Sequence, residues 1–373
     1  MLSNMLGNKN MQNHEVREIG VIAPRIDALT KVTGAENFAA DLYPEGFLWV
    51  GVKRSDFPHA NILAIDGLAA SKLTGVTAVL THRDIKGSNR LGIFEKDQPI
   101  LADKTVRHYG DAVALVVAES KAALTEALAA IRVEYEPLPP VFDPEAALET
   151  GAPILHPTRP AGNVLIKSEI VCGNGAANLE KCAFQATVKI RTGWQEHAFL
   201  ETQTGVAWME EDETLSMTVS TQTPFRDRLE LAEALGISPA KIHVVAPCLG
   251  GGFGGKDGVT VQGFLALAAM HSGGRPVKIY YSREESILAG TKRHPLRAEY
   301  TVGCDQDGVL QTLSCRLLFD TGAYASLGSE VFALAMEHAG GPYRIPNVSI
   351  LGSAVYTNNP VSSAFRGFGV PQA

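Results

Sequence analysis

At 373 residues, 45% of them hydrophobic, the chain is long enough to bury the cores of two or more domains, which excludes a disordered polymer. A net charge of -7 without any concentrated Lys/Arg run excludes a surface built to recruit nucleic-acid phosphates or anionic lipid, and points to a small molecule or a protein as partner. The five cysteines, at 172, 182, 248, 304 and 315, form no Cys-x-x-Cys pair, which excludes a zinc ribbon, an iron-sulfur cluster and a complete disulfide set, and they are expected to be buried free thiols.

The opening twenty residues lack the apolar core of a signal peptide, and no later stretch reaches the roughly 18 apolar residues of a membrane span. The expectation is a soluble cytoplasmic protein with no membrane partner and a flexible amino terminus over 1–21. Residues 22–135 then alternate short apolar runs with turns. FLWVGVKRS and VTAVLT read as strands, and DAVALVVAES as a strand feeding the helix KAALTEALAAIRV, with Ser120 placed to cap it. The Pro- and Gly-rich stretch over 136–163 can sustain neither a helix nor a central strand, so it reads as a linker between two domains.

Beyond it, strands are expected at FQATVKIRT, TLSMTVSTQ, KIHVVAP and PVKIYYS. A helix follows the second of these, with Thr223 as N-cap, Pro224 in its first turn and Gly236 at its C-terminal stop. Another starts at Ser282, where Glu285 completes a capping box. Residues 296–324 read as a hairpin turning at Asp305-Gln306-Asp307-Gly308. The fold class is α+β, with 164–373 as the second domain.

The segment Gly250-Gly251-Gly252-Phe253-Gly254-Gly255-Lys256-Asp257 carries the strongest local signal. Each glycine costs about 0.5–1 kcal/mol in chain entropy relative to alanine, so five in six positions need a reason. A tight turn under a helix requires one or two, and close approach of a ligand to the loop amides accounts for more. Gly250, Gly252 and Gly255 satisfy the dinucleotide-binding spacing, but no acidic residue follows about twenty positions later. Gly250, Gly255 and Lys256 fit a phosphate-binding loop, yet Asp257 stands where a magnesium-binding hydroxyl belongs. A nucleotide-binding module using residues 250–256 remains one reading of these residues.

The same loop resembles the Gly-Gly-Gly-Phe-Gly-Gly-Lys segment of the molybdenum hydroxylases, the family of xanthine dehydrogenase and aldehyde oxidoreductase. Gln195-Glu196-His197 with Phe199 to Glu201, Ser220-Thr221-Gln222 and Ala364-Phe365-Arg366-Gly367-Phe368-Gly369 resemble further segments of that family in the same order. Arg25 to Leu29, Lys31 to Gly34 and Pro99 to Ala102 resemble its first domain, so the likeness runs from about residue 22 onward. It implies an α/β hammerhead-like domain over 22–135 and the first part of a mixed α/β molybdopterin-binding domain over 164–373.

The resemblance also implies site residues. Gln222, Gly252, Phe253, Gly254, Phe365 and Arg366 would bind a molybdenum-molybdopterin cofactor, in its cytosine dinucleotide form. Gln222, Phe253 and Arg366 would contact oxygens on the metal. Phe368 would stack on the substrate ring, and Asp257 and Leu334 would line the substrate pocket. Asp257 stands where xanthine-oxidising members have a glutamate, and Leu334 where they have an arginine. That loss of a cation makes an aldehyde or another N-heterocycle at least as good a candidate as xanthine. Adjacent side chains of an extended segment diverge, so Glu196 and His197 stay outside the metal's own ligands.

In that family a glutamate near the end of the large subunit is the general base, and the electrons leave through [2Fe-2S] clusters to FAD. The family's Gly-Glu motif has no counterpart here, since the chain contains no Gly-Glu dipeptide. The implied partners are therefore a C-terminal molybdopterin half, an iron-sulfur subunit and an FAD subunit, without which this chain is expected to be inactive.

Overall fold

The computed structural model describes residues 25–373, so the expected flexible terminus over 1–21 lies outside the described residues. The chain divides into two units, Met1–Glu36 and Asn37–Ala373. In the described part of the first, the helix Ala28–Thr33 ends on Gly34, whose φ of 74° is the left-handed stop that only glycine adopts without strain. Lys31 Nζ reaches back 2.5 Å to Asp27.

The second unit is built on two mixed sheets. The larger has seven strands in the order Ile242–Val245, Leu215–Val219, Thr204–Met209, Val277–Tyr280, Leu48–Arg54, Ala112–Ala118 and Val76–Leu80. Ala112–Ala118 shows why so apolar a run is needed: six of its seven residues are buried, and its two faces serve different cores. Leu115 and Val117 pack into the main core, whereas Ala114, Val116 and Ala118 face the helix Lys121–Ala130. The helix Gln262–Met270 is apolar around nearly its whole circumference, and Gln262 to Ala269 are all buried.

The second sheet has five strands, Phe184–Arg191, Leu296–Cys304, Leu310–Gly322, Asn347–Tyr356 and Val164–Cys172 in that order. The expected hairpin is its centre, and Gly308 turns with φ of 79°. Phe184–Arg191 is a strand as expected, but an edge strand exposed along its whole length. The helix Gly328–His338 packs on this sheet through Phe332, Ala335 and Met336.

Several local expectations change. The seven-stranded sheet takes strands from both sides of residues 136–163. The stretch is fastened by side-chain amides. Asn163 binds Leu155 N, Pro153 O and Ala147 O, while Asn358 accepts from Val141 N and donates to Arg107 O. Ser120 caps its helix through Ala123 N, and Gly236 stops its helix with φ of 73°. Ser282 accepts from Glu285 N, but the Glu285 carboxylate pairs with Arg54 instead of closing a box. Thr223 makes no capping bond, since its hydroxyl is committed to Asp227 and Gly258. None of the five cysteines is in a disulfide, although only Cys315 is buried and Cys172 is exposed.

Candidate functional site

The site begins where the strand Leu215–Val219 turns into the helix Pro224–Leu235. Asp227, fully buried in the first turn of that helix, fixes the turn by accepting from the Thr221 and Thr223 hydroxyls at 2.5 and 3.1 Å and from Gln262 Nε2 at 2.8 Å. Burial raises its pKa, and these three donors oppose the shift. Gln222 is thus held between a strand end and a helix start. Its backbone N–H donates to Lys256 O at 2.9 Å, and its Oε1 accepts from Gly254 N at 3.0 Å and Lys256 N at 3.4 Å. Two backbone donors on one amide oxygen settle the side-chain orientation, so Nε2 is turned away from the loop.

The glycines of the loop are explained first by the chain itself. A Cβ on Gly252 would lie 2.4 Å from Gln222 Oε1, one on Gly250 2.4 Å from Glu201 Cβ, and one on Gly255 2.7 Å from the rings of His197 and Phe199. Gly254 has φ of 99° and its Cβ would meet the Ala364 backbone at 2.7 Å. The space a ligand was expected to claim at these positions is filled by neighbouring side chains and by the last loop. What remains open to a ligand is the outer edge of the loop, where Phe253 is 47% exposed.

Lys256 decides between the ligand readings. Its side chain is 0% exposed, and Nζ donates at 2.9 Å to Glu201 Oε2, which also accepts from Gly250 N at 3.0 Å. The ammonium lies 4.7 Å from the centre of the Phe199 ring, and burial lowers its pKa against the pull of Glu201. A phosphate-binding lysine must present its ammonium to the ligand. This one is buried beneath the loop, so the nucleotide-binding reading of 250–256 loses its cation.

The C-terminal loop closes over the glycine loop. Arg366 N donates to Phe253 O at 2.8 Å, and His197 Nε2 binds Ala364 O at 2.8 Å. The Phe365 ring stacks on His197 at 4.2 Å with 21° between planes, and its other neighbour is the Arg293 guanidinium at 3.9 Å. Phe365 is thereby committed to packing, whereas the Arg366 side chain is exposed. Glu196 pairs with Lys292 at 2.6 Å, so the adjacent Glu196 and His197 do serve different partners. Burial lowers the His197 pKa, keeping the ring neutral.

Backbone strain is concentrated here. Among the described residues, six non-glycines have positive φ, and four of them surround this site: Ala198 at 49°, Phe253 at 52°, Ser326 at 44° and Phe368 at 48°. Each such conformation costs about 1 kcal/mol or more and persists only where the surroundings enforce it.

Asp257 lines a cavity beside the loop with Gly255, Gly258, Arg226, Glu230 and Ser326, and with Leu91, Ile93 and Ile100 from the segment that carries the two-stranded pair Arg90–Leu91 and Gln98–Pro99. Arg226 Nη2 donates to Asp257 Oδ1, and its Nε lies 3.6 Å from Glu230 Oε1. Burial raises the pKa of Glu230 and of Glu330, and the charges of Arg226 and Asp257 both act on Glu330. Leu334 and Phe368 do not line this cavity. Leu334 lies one helical turn beyond Glu330, and the loop of Phe368 packs on the same helix, where a Cβ on Gly369 would meet Val331 O at 2.2 Å. Arg226 escaped sequence reasoning, as did the roles of Glu201 under the loop and of His197 as a clamp, although both lie in a segment singled out by resemblance. Arg226, four residues after Gln222 in the first turn of a helix, was the one with a findable signal.

Residues 155–373 match the molybdopterin cofactor-binding domain family, and 33–139 match the a/b hammerhead domain of aldehyde oxidase and xanthine dehydrogenase. The chain belongs to the molybdenum hydroxylase family. It is 42% identical to the nicotinate dehydrogenase large molybdopterin subunit of Eubacterium barkeri, over 94% of this chain and 81% of that subunit. It is also 42% identical to a probable xanthine dehydrogenase subunit of Bacillus subtilis, over 92% of this chain but only 46% of that one. Among solved structures, aldehyde oxidoreductase from Desulfovibrio gigas superposes with a TM-score of 0.89 at 32% identity, over 94% of this chain and 40% of that chain. The chain therefore spans less than half the length of several relatives it matches.

For a molybdenum hydroxylase the donor set fits the cofactor. Gln222 has its oxygen consumed by the loop and its amide N–H groups left to donate, and Arg366 offers an exposed cation beside the loop edge at Phe253. Both suit an anionic oxo-metal group. Among the described residues no helix is long and apolar enough to cross a membrane.

Proposed function

We propose that this chain is the molybdopterin-binding part of a hydroxylase that oxidises a carbon of an N-heterocycle or an aldehyde, with water as the oxygen source. The observation that carries this reading is the commitment of Gln222 Oε1 to Gly254 N and Lys256 N, which leaves the side-chain amide N–H groups to donate to a ligand. Gln222 and Arg366 would hold the cofactor's oxygens, and Gly252, Phe253 and Gly254 would present backbone to it. Bound molybdenum-molybdopterin, proposed in its cytosine dinucleotide form, would supply the activated oxygen and collect two electrons, which pass to [2Fe-2S] and FAD partners. Phe365 acts from behind, holding the last loop against His197.

For substrate, Asp257 would accept a hydrogen bond from a ring in its cavity, while Phe368, proposed to stack on the ring, and Leu334, proposed as an apolar wall on the helix shared with Glu330, stand outside that cavity and would reach the ring from its far side. The general base is proposed to come from the further polypeptide that completes the site. The relatives are named for nicotinate, xanthine and aldehyde, so membership alone leaves the ring open. Metal and nucleotide analysis of the purified complex tests the reading. Near-stoichiometric molybdenum with cytidine monophosphate released on acid hydrolysis is expected, and tightly retained nucleotide without molybdenum would overturn it.

A further inference from the structure

The cavity beside the glycine loop holds cations, but each is already matched. Arg54 pairs with Glu285 at 3.0 Å, and Arg226 pairs with Asp257. Around Arg226 the balance is negative, because one guanidinium faces the carboxylates of Asp257 and Glu230, with Glu330 close enough to feel both Arg226 and Asp257. Arg226 takes Asp257 Oδ1, while Oδ2 accepts no hydrogen bond from a described side chain. The guanidinium therefore turns the carboxylate so that one oxygen is left toward the cavity, and offsets the charge that a bare aspartate would bring.

Position 334 offers no cation to the helix face shared with Glu330. A cation does exist, delivered from the other side by the helix that starts two residues after Gln222. It is spent on Asp257 and is not offered to a ligand.

We propose that Arg226 is a positioning residue that orients Asp257, and that the cavity thereby selects an uncharged N-heterocycle donating a ring N–H to Asp257 Oδ2, discriminating against rings that carry a carboxylate. The inference rests on the hydroxylase reading above. An anionic ring entering this cavity meets net negative charge with no unmatched cation, a penalty that electrostatic complementarity makes specific to charge and not to size.

The test uses the assembled enzyme complex with uncharged rings that carry a ring N–H (hypoxanthine, quinazolin-4(3H)-one) and a carboxylated one (nicotinate). The wild type is expected to turn over an uncharged ring with the lower KM. Arg226→Met should raise that KM about tenfold or more with kcat changed far less, and Arg226→Lys should recover much of it. Asp257→Asn should weaken uncharged-ring binding similarly, and Arg226→Met added to Asp257→Asn should cost nothing further, because the arginine acts through the aspartate. Calorimetric binding of the same rings to the complex repeats the comparison without turnover. It also separates the two ideas: a complex lacking molybdenum refutes the hydroxylase reading, while the order of ring affinities still decides this one. A wild type that prefers nicotinate, an Arg226→Met with unchanged KM and ring affinity, or fully additive effects of the two substitutions would overturn the proposal.

Discussion

Lys256 Nζ and Glu201 Oε2 lie 2.9 Å apart beneath the glycine loop, in a pair whose side chains are 0% and 6% exposed. Glu201 also takes Gly250 N, so one carboxylate ties the first glycine of the loop to the lysine that ends it. Removing one partner leaves the other charge buried and unmatched. Lys256→Met is therefore expected to destabilise the protein by about 3–5 kcal/mol. Adding Glu201→Gln should recover a large part of that loss. Urea unfolding of the single and double variants measures both. A phosphate-binding lysine, by contrast, would show little stability loss and a large loss of nucleotide affinity.

The loop glycines differ in what their absent side chains make room for. Gly252→Ala would drive a methyl to 2.4 Å from Gln222 Oε1, displacing the amide from the loop N–H groups. Gly46→Ala, at φ of 67° with nothing within 4 Å, carries only the left-handed backbone penalty. The expectation is a loss of about 1–2 kcal/mol for Gly46→Ala with molybdenum content preserved. Gly252→Ala should lose molybdenum from the purified complex. Equal metal content in the two variants would contradict this.

Gln222 does two jobs that one substitution separates. Gln222→Glu keeps an oxygen to accept from Gly254 N and Lys256 N, but replaces the amide donors with a second acceptor and a negative charge. The fold should persist, with a melting temperature within a few degrees of wild type, while an anionic cofactor is repelled. Molybdenum content and thermal melting of the same preparation check the pair of outcomes. Gln222→Ala should lower both, since two loop amides then lose their acceptor at a cost of about 1–3 kcal/mol.

What the sequence made legible was local or collinear. Gly236 and Ser120 act within a few residues of themselves, and the alternation through 296–324 needs only its turn. The family-like segments at 195, 222, 253 and 366 were visible as ordered motifs, and the fold brings them together. Arg226 and Asp257 are 31 residues apart and meet only because a helix start faces the glycine loop, a relationship with no periodicity to betray it. The glycine loop was legible as a demand for space but not as to what occupies it, because a sequence records a missing Cβ and not its neighbours. Composition at 136–163 is silent on packing for a similar reason. Pro and Gly exclude regular structure equally in a solvated linker and in a segment pinned by Asn163 and Asn358.

Lys278 gives the fold a testable alkaline signature. It is fully buried in the seven-stranded sheet, and its Nζ donates to Ala39, Ala40 and Leu42 carbonyls at 3.3, 3.1 and 2.7 Å. Burial lowers its pKa from 10.5 to about 8, with Asp41 and Glu201 opposing the shift. Between these values the unfolded chain holds a proton that the native state has released, so stability rises with pH across that window. A full proton corresponds to a slope of about 1.4 kcal/mol per pH unit. Above about pH 10 the buried tyrosines 281 and 356 and the partly buried Tyr300, whose pKa values burial raises, contribute the opposite slope. Urea unfolding between pH 8 and 10 should therefore show increasing stability in the wild type. In Lys278→Met that increment should shrink, with Lys256, whose pKa burial also lowers, keeping part of it, and an identical pH slope in the two proteins would refute the assignment.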